Sequence, residues 1–194
     1  MIVAPAQTTA ALRLWTVKDY HCMVDAGILQ PDESVELIAG QILRKMSPQN
    51  SRHSAAITRT DRLLRQRLGG QVLVRLQLPI ELHNYSEPEP DLAIVQPDPL
   101  DYDDRHPTAT NVYLIIEVSD STLTRDLDLK AKDYAASGIK DYWVLDVNKR
   151  QLHVFRHPTA AGYQSEQIFS AAQFVVPLRF PDCRIGVAEM LRPQ

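Results

Sequence analysis

The sequence has no apolar run long enough to cross a bilayer. Stretches such as Val112 to Val118 fall well short of the roughly 20 apolar residues that a spanning helix needs, so no membrane partner is expected. Met1 to Ala11 lacks the basic start and continuous apolar core of a secretory signal, and it reads as a frayed tail on a cytoplasmic protein. Cysteine is scarce too. Cys22 and Cys183 lie far apart and outside any C-x-x-C spacing, which leaves plain thiols and no zinc or redox motif. Nor is there a surplus of charge of one sign. A formal net charge of −3 over 194 residues gives no global pull toward nucleic acid, so such a partner would need a local basic face. Internal repeats and low-complexity tracts are missing, which argues against solenoids and linkers. What is present is ordinary for a globular chain: 44% hydrophobic and 23% charged residues, with no break in composition. One domain over 15–194, behind a flexible tail over 1–14, is the expected organisation.

Apolar periodicity then orders the chain. Val17, Tyr20 and Val24 predict a short helix over Val17 to Ala26, stopped at Gly27. Val35 to Ile38 and Gln41 to Leu43 flank Ala39-Gly40 as a tight hairpin. Ser51 to Leu68 repeats apolar residues at helical spacing with arginines between them, ended by Gly69-Gly70. Gln71 to Leu82 reads as a strand broken by Pro79, at an edge or a bulge. Asp91 to Val95 and Tyr113 to Val118 read as the centre of a sheet, the second apolar enough to be buried on both faces. An acidic loop with prolines, 96–111, joins them. Asp120-Ser121 is expected to cap a helix over Leu123 to Ser137, closed by Gly138, and strands over Tyr142 to Asp146 and Gln151 to Arg156 follow. Peripheral strands and a short helix near Val187 to Leu191 end the chain. Strand, helix and strand in succession predict an α/β fold with a crossover unit.

Three acids stand in strand-like apolar surroundings: Glu36 in Val-Glu-Leu-Ile, Asp91 in Pro-Asp-Leu-Ala-Ile-Val, and Glu117 in Leu-Ile-Ile-Glu-Val. A carboxylate taken toward a low-dielectric interior is costly unless it is paired or bound to metal. Singly, each is most simply an acid at a strand end facing solvent or an ordinary ion pair. Jointly, Asp91 and Glu117 on neighbouring strands suit Mg²⁺, which takes one or two carboxylates and keeps several waters. Lys130 follows on the next helix with Tyr134 one turn later, placed to orient water or offset charge at phosphorus. Lys132, about 200° further round, points elsewhere. Tyr134, Tyr142 and Trp143 read as core packing. His53 is either a satisfied helix-start histidine or a contact to phosphate or water. Arg52, Arg59, Arg62, Arg65 and Arg67 form either a solvated helix face or one that tracks phosphates; Arg52, Arg59 and Arg62 are the nucleic-acid candidates.

Several runs occur in order between Trp15 and Leu191: Val-Glu-Leu-Ile-Ala-Gly-Gln-Ile; Met46-Ser47-Pro48 with His53; Pro90 to Val95; Ile116-Glu117-Val118-Ser119; Asp126 through Lys130 to Tyr134; and Gly138 through Tyr142-Trp143-Val144-Leu145-Asp146. Together they closely resemble the Uma-type restriction-endonuclease family within the PD-(D/E)XK nuclease superfamily. The resemblance implies a restriction-endonuclease-like core, a mixed central sheet flanked by helices, that hydrolyses phosphodiesters with Mg²⁺ or Mn²⁺. It implies Asp91 and Glu117 as metal ligands, Glu36 as an auxiliary acid and Lys130 as the catalytic lysine. Ser119 stands two residues after Glu117, where the superfamily pattern has lysine, so the lysine is expected from the helix.

The expected function is therefore a metal-dependent endonuclease acting on nucleic acid, with DNA the first choice. Alternatives are a protein that binds nucleic acid without cutting it, through the arginine-bearing helix, or an oligomeric scaffold. Carboxylates beside a polyanion repel it, which favours the enzyme over the pure binder. A homodimer is expected, since two-fold symmetry matches a duplex cut on both strands.

Overall fold

Strand β5, Val112–Ser119, is where the apolar pattern and the architecture meet. In the computed structural model, which describes residues 12–30, 32–45 and 50–193, it lies inside a six-stranded mixed sheet. The sheet is formed by β3 (Leu73–Leu76), β4 (Leu92–Val95), β5, β6 (Asp141–Asp146), β7 (Gln151–Thr159) and β8 (Gly162–Ser170), side by side in that order. Only β5 and β6 run parallel, joined by the expected helical crossover. The other neighbours are antiparallel. The tail Met1 to Ala11 and the run Met46-Ser47-Pro48 lie outside the described residues.

Alternation along β5 divides two cores. Leu114, Ile116 and Val118 pack with helix α2 (Ser51–Leu68), Trp143 of β6, and Val187 and Met190 of the short C-terminal helix α5 (Val187–Met190). Ile115 packs on the other face with Ala93, Tyr142, Ala131 and Tyr134. Glu117 has the parity of Ile115 and so belongs to that second face. A third, smaller cluster joins helix α1 (Val17–Asp25) to the hairpin of β1 (Val35–Ile38) and β2 (Gln41–Arg44). Short strands β9 (Phe174–Val175) and β10 (Ile185–Gly186) complete the chain.

Two elements differ from the sequence expectation. The strand expected over Gln71 to Leu82 stops at Leu76, because Gln77 adopts a left-handed backbone with φ of 50°. Its N–H turns to the carbonyls of Pro90 and Asp91. The strand is nevertheless an edge, and Pro79 falls beyond it. The helix expected over Leu123 to Ser137 is broken into α3 (Leu123–Arg125), a wide π turn (Asp126–Lys130) and α4 (Ala131–Ala136). Its N-cap is Thr122, without a side-chain capping bond, while Asp120 instead holds Asn50 and Asn148. Residues four apart drift by about 40° round an α-helix, and a wider turn absorbs part of that drift. Asp126, Lys130 and Tyr134 are all buried as a result.

The β1–β2 turn depends on Ala39 and Gly40, both with positive φ (48° and 75°), as a two-residue hairpin of the right twist requires. Gly40 is also crowded: a Cβ there would sit 2.6 Å from the Cβ of Leu14. Gly40→Ala is expected to lower stability by about 1–3 kcal/mol, read as a shift in the urea midpoint at unchanged slope; an unchanged midpoint would contradict this account of the hairpin.

Candidate active site

Cross-strand register brings the first two acids together. Leu92 of β4 faces Ile116 of β5, and one step further along that antiparallel register Asp91 falls opposite Glu117. The pair is stitched through the backbone: Val118 N–H donates to Asp91 Oδ2 at 2.9 Å, and Asp91 N–H approaches Glu117 Oε2 at 3.3 Å. Asp91 has two further partners. Gln77 Nε2 donates to Asp91 Oδ1 at 3.1 Å, and His53 Nε2 lies 3.1 Å from Asp91 Oδ2.

Lys130 enters from the π turn. Its Nζ donates to Glu117 Oε1 at 2.9 Å and lies 3.2 Å from Glu36 Oε1. Glu36, on β1, is itself fully buried, and its other oxygen accepts from Glu89 N–H at 3.2 Å. Tyr134 OH also donates to Glu117 Oε1, at 2.9 Å. Glu36, Asp91, Glu117, Lys130 and His53 therefore line one small cavity of about 60 Å³. Tyr134 packs in the core as expected and, in addition, fixes the central acid. Lys132 is exposed and pairs with Asp128, away from the cavity.

Sequence reasoning gave no role to several lining residues: Asp126, Gln77, Thr122, Arg125, and the ion pair of Lys45 with Glu89. Asp126 stands one turn before Lys130, a spacing that could have flagged it. Its carboxylate accepts from Thr122 Oγ1 at 2.6 Å. Gln77 carries no such signal, since its left-handed backbone in the run Leu-Gln-Leu-Pro is a tertiary outcome.

The cavity is rich in negative charge. Five carboxylates (Glu36, Glu89, Asp91, Glu117, Asp126) meet three permanent cations (Lys45, Arg125, Lys130). Burial, reinforced by Asp91, Asp126 and Glu36 against the pull of Lys130, pushes Glu117 up to about 7. Burial pulls Lys130 down, but Glu117, Glu36 and Asp126 outweigh it and raise its pKa, so the ammonium keeps its charge. Asp91 is lowered because His53, Val118 N–H and Lys130 together overcome burial. Among the described residues no three His, Cys, Asp or Glu side chains converge on a common ion position. The pair Asp91 and Glu117 nevertheless fits a hard cation that takes one or two carboxylates and keeps its waters, and such a cation would offset both the burial that raises Glu117 most and the neighbouring acids that add to it.

The arginines of α2 separate into classes. Arg65 pairs with Asp61 and donates to Val74 O, and Arg67 holds Glu189 and Arg184 O, so both are tied to the protein itself. Arg52 and Arg59 line an open groove, and Arg62 is exposed outside it.

A family profile matches residues 17–188, nearly the whole described length; the family is Uma2, described as "Putative restriction endonuclease". The chain belongs to the Uma2 family. A solved structure from Anabaena variabilis ATCC 29413, described as a putative nuclease belonging to DUF820, shares the fold with a TM-score of 0.65 at 17% identity. The alignment covers 90% of this chain and 96% of that one. No curated protein matches the sequence. The nuclease-type α/β architecture expected from the sequence is thus the observed one. Among the described residues no helix is long and apolar enough to cross a membrane.

In this Uma2 chain the His53–Asp91 pair sets a pH window. Burial opposes the charge on His53, but Asp91 overrides it and raises His53 above 6.5. That stabilisation is present below 6.5 and is lost as pH rises through the raised value. The share from Asp91, whose pKa is lowered, is present above 3.8 and is lost as pH falls through the lowered value. With chelator present, His53→Gln is expected to cost about 1–2 kcal/mol between those limits and less above them; a stability difference that does not vary with pH would contradict the pairing.

Proposed function

We propose that this chain is a divalent-metal-dependent endonuclease that hydrolyses phosphodiester bonds of nucleic acid, DNA in the first instance. The observation that carries this reading is the Lys130 ammonium held between Glu117 and Glu36 beside Asp91 in one cavity. An ion pair that only stabilised the fold would need no further acids around it, and a binding surface for a polyanion would not gather five of them.

Asp91 and Glu117 would hold Mg²⁺, or Mn²⁺ in its place. The chemistry that such an ion supplies is Lewis-acid polarisation of a phosphoryl oxygen and acidification of water. The chain's own residues do the rest by being fixed in advance. Lys130 and Tyr134 both hold Glu117 Oε1, and Gln77, His53 and Val118 N–H hold Asp91, so neither carboxylate has to reorganise when the phosphate arrives. Lys130 is held as an ammonium by Glu117 and Glu36, which suits it to orient the attacking water or offset charge building on phosphorus. Water adds to phosphorus as one P–O ester bond breaks, and the products are a phosphate end and a hydroxyl end. Cutting both strands of a duplex needs two such sites, so the proposed working unit is a homodimer.

The test is cleavage of plasmid and single-stranded DNA with Mg²⁺ or Mn²⁺ by wild type, Asp91→Ala, Glu117→Gln and Lys130→Ala. Metal-dependent cutting reduced by a factor on the order of 10² or more in each variant is expected. Full cutting by Glu117→Gln would sink the assignment, and no cutting by folded wild type on either substrate would favour a protein that binds or scaffolds instead.

A further inference from the structure

Beside the catalytic cavity, on the other side of the first turns of α2, lies a second and larger concavity of about 350 Å³. Among the described residues every ionisable group lining it is an arginine: Arg52 and Arg59 from α2, Arg150 from the β6–β7 turn, and Arg192 after α5. Among the described residues none has a carboxylate partner, and the one guanidinium hydrogen bond is internal to the set, from Arg150 Nη1 to the carbonyl of Arg192 at 2.9 Å. In a chain of net charge −3 that ties Arg65 and Arg67 to acids and carbonyls, four guanidiniums without a carboxylate among the described residues, around one hollow, call for an anionic occupant.

The backbone supports this. Arg150 sits at φ of 56°, where glycine would be free of strain, so the turn carries an arginine side chain at a conformational cost. Asn50 caps α2 by accepting from Arg52 N–H and His53 N–H, and the positive end of this 18-residue helix opens beside the groove at Ser51. The floor is apolar and in part very small, made by Ala55, Ala56 and Leu191, which suits the sugar face of a strand between phosphates.

We propose that this groove binds the sugar-phosphate backbone of the nucleic acid whose scissile bond lies in the catalytic cavity, with Arg52, Arg59, Arg150 and Arg192 contacting successive phosphates. The proposal rests on the endonuclease reading and gives that substrate a path. Arg52 and His53 are adjacent in sequence, yet one faces the groove and the other Asp91. A helix is about 10 Å across, so at about 3.4 Å of rise per nucleotide the bound phosphates lie roughly three nucleotides from the cut. Arg150 and Arg192 come from parts of the chain that carry no nucleic-acid signal in sequence, and only the fold adds them to the α2 pair.

Binding is measured by fluorescence anisotropy on a DNA duplex with chelator present, so that it is independent of cutting. The proteins are wild type, Arg59→Gln/Arg192→Gln, Arg59→Lys/Arg192→Lys, and Lys140→Gln as a change of charge elsewhere. The glutamine pair is expected to weaken binding about tenfold and to flatten the plot of log affinity against log salt by about two phosphate contacts. The lysine pair should keep most of the slope, Lys140→Gln should leave it unchanged, and inorganic phosphate should displace the duplex only weakly. Wild type that cuts and binds DNA, with a glutamine pair that binds equally well, would overturn the groove alone. Wild type that neither binds nor cuts would overturn the groove and the endonuclease reading together, and displacement by inorganic phosphate at low concentration would show a small-anion site in place of a nucleic-acid path.

Discussion

Lys130 can lie inside this protein because Glu117 and Glu36 face it. An ammonium exposed to only 4% is costly to desolvate, and the cost is met by one carboxylate from the sheet and one from a separate hairpin. That ion triad ties together three parts of the chain that are distant in sequence: β1, β5 and the π turn. Glu117 is in turn fixed by Tyr134 and set beside Asp91, so the geometry of the cavity follows from how the lysine is paired.

Much of the surrounding structure reads as support for this arrangement. The two-faced burial of β5 makes its position in the sheet rigid, and its parity decides that Glu117, not Ile116, meets the crossover helix. The antiparallel register with β4 delivers Asp91 without a dedicated loop. The hairpin of β1 and β2 docks on residues 85–87 through Gly40 N–H to Tyr85 O and Glu87 N–H to Leu37 O, which presses Glu36 against the sheet. The π turn spends regular helical geometry to bury Asp126 and Lys130 together.

Where one physical signal dominated, the sequence was legible. The hairpin, helix α2 with its glycine stop, the apolar run of β5 and the crossover to β6 follow from periodicity and turn residues. The acids were visible because a carboxylate in an apolar strand violates its local pattern. Lys130 was reached from family resemblance and its place on the helix, and its ammonium lies between Glu117 and Glu36. What stayed hidden depends on tertiary detail: the left-handed Gln77 that ends β3, the wide turn that replaces an unbroken helix, and the hydroxyl of Tyr134, whose ring obeys the core pattern while its oxygen serves the site. The arginines of α2 were legible as a set but not as individuals, since only packing separates those tied to the protein from those that line the groove.

The most direct test of the central claim is a double-mutant cycle on unfolding free energy with Lys130→Met and Glu117→Gln. If the two side chains depend on each other, the double variant is destabilised by about 2 kcal/mol less than the sum of the single changes. Effects that add to within about 0.5 kcal/mol would show that Lys130 is held by something other than Glu117, and the account of the site would fail at its centre.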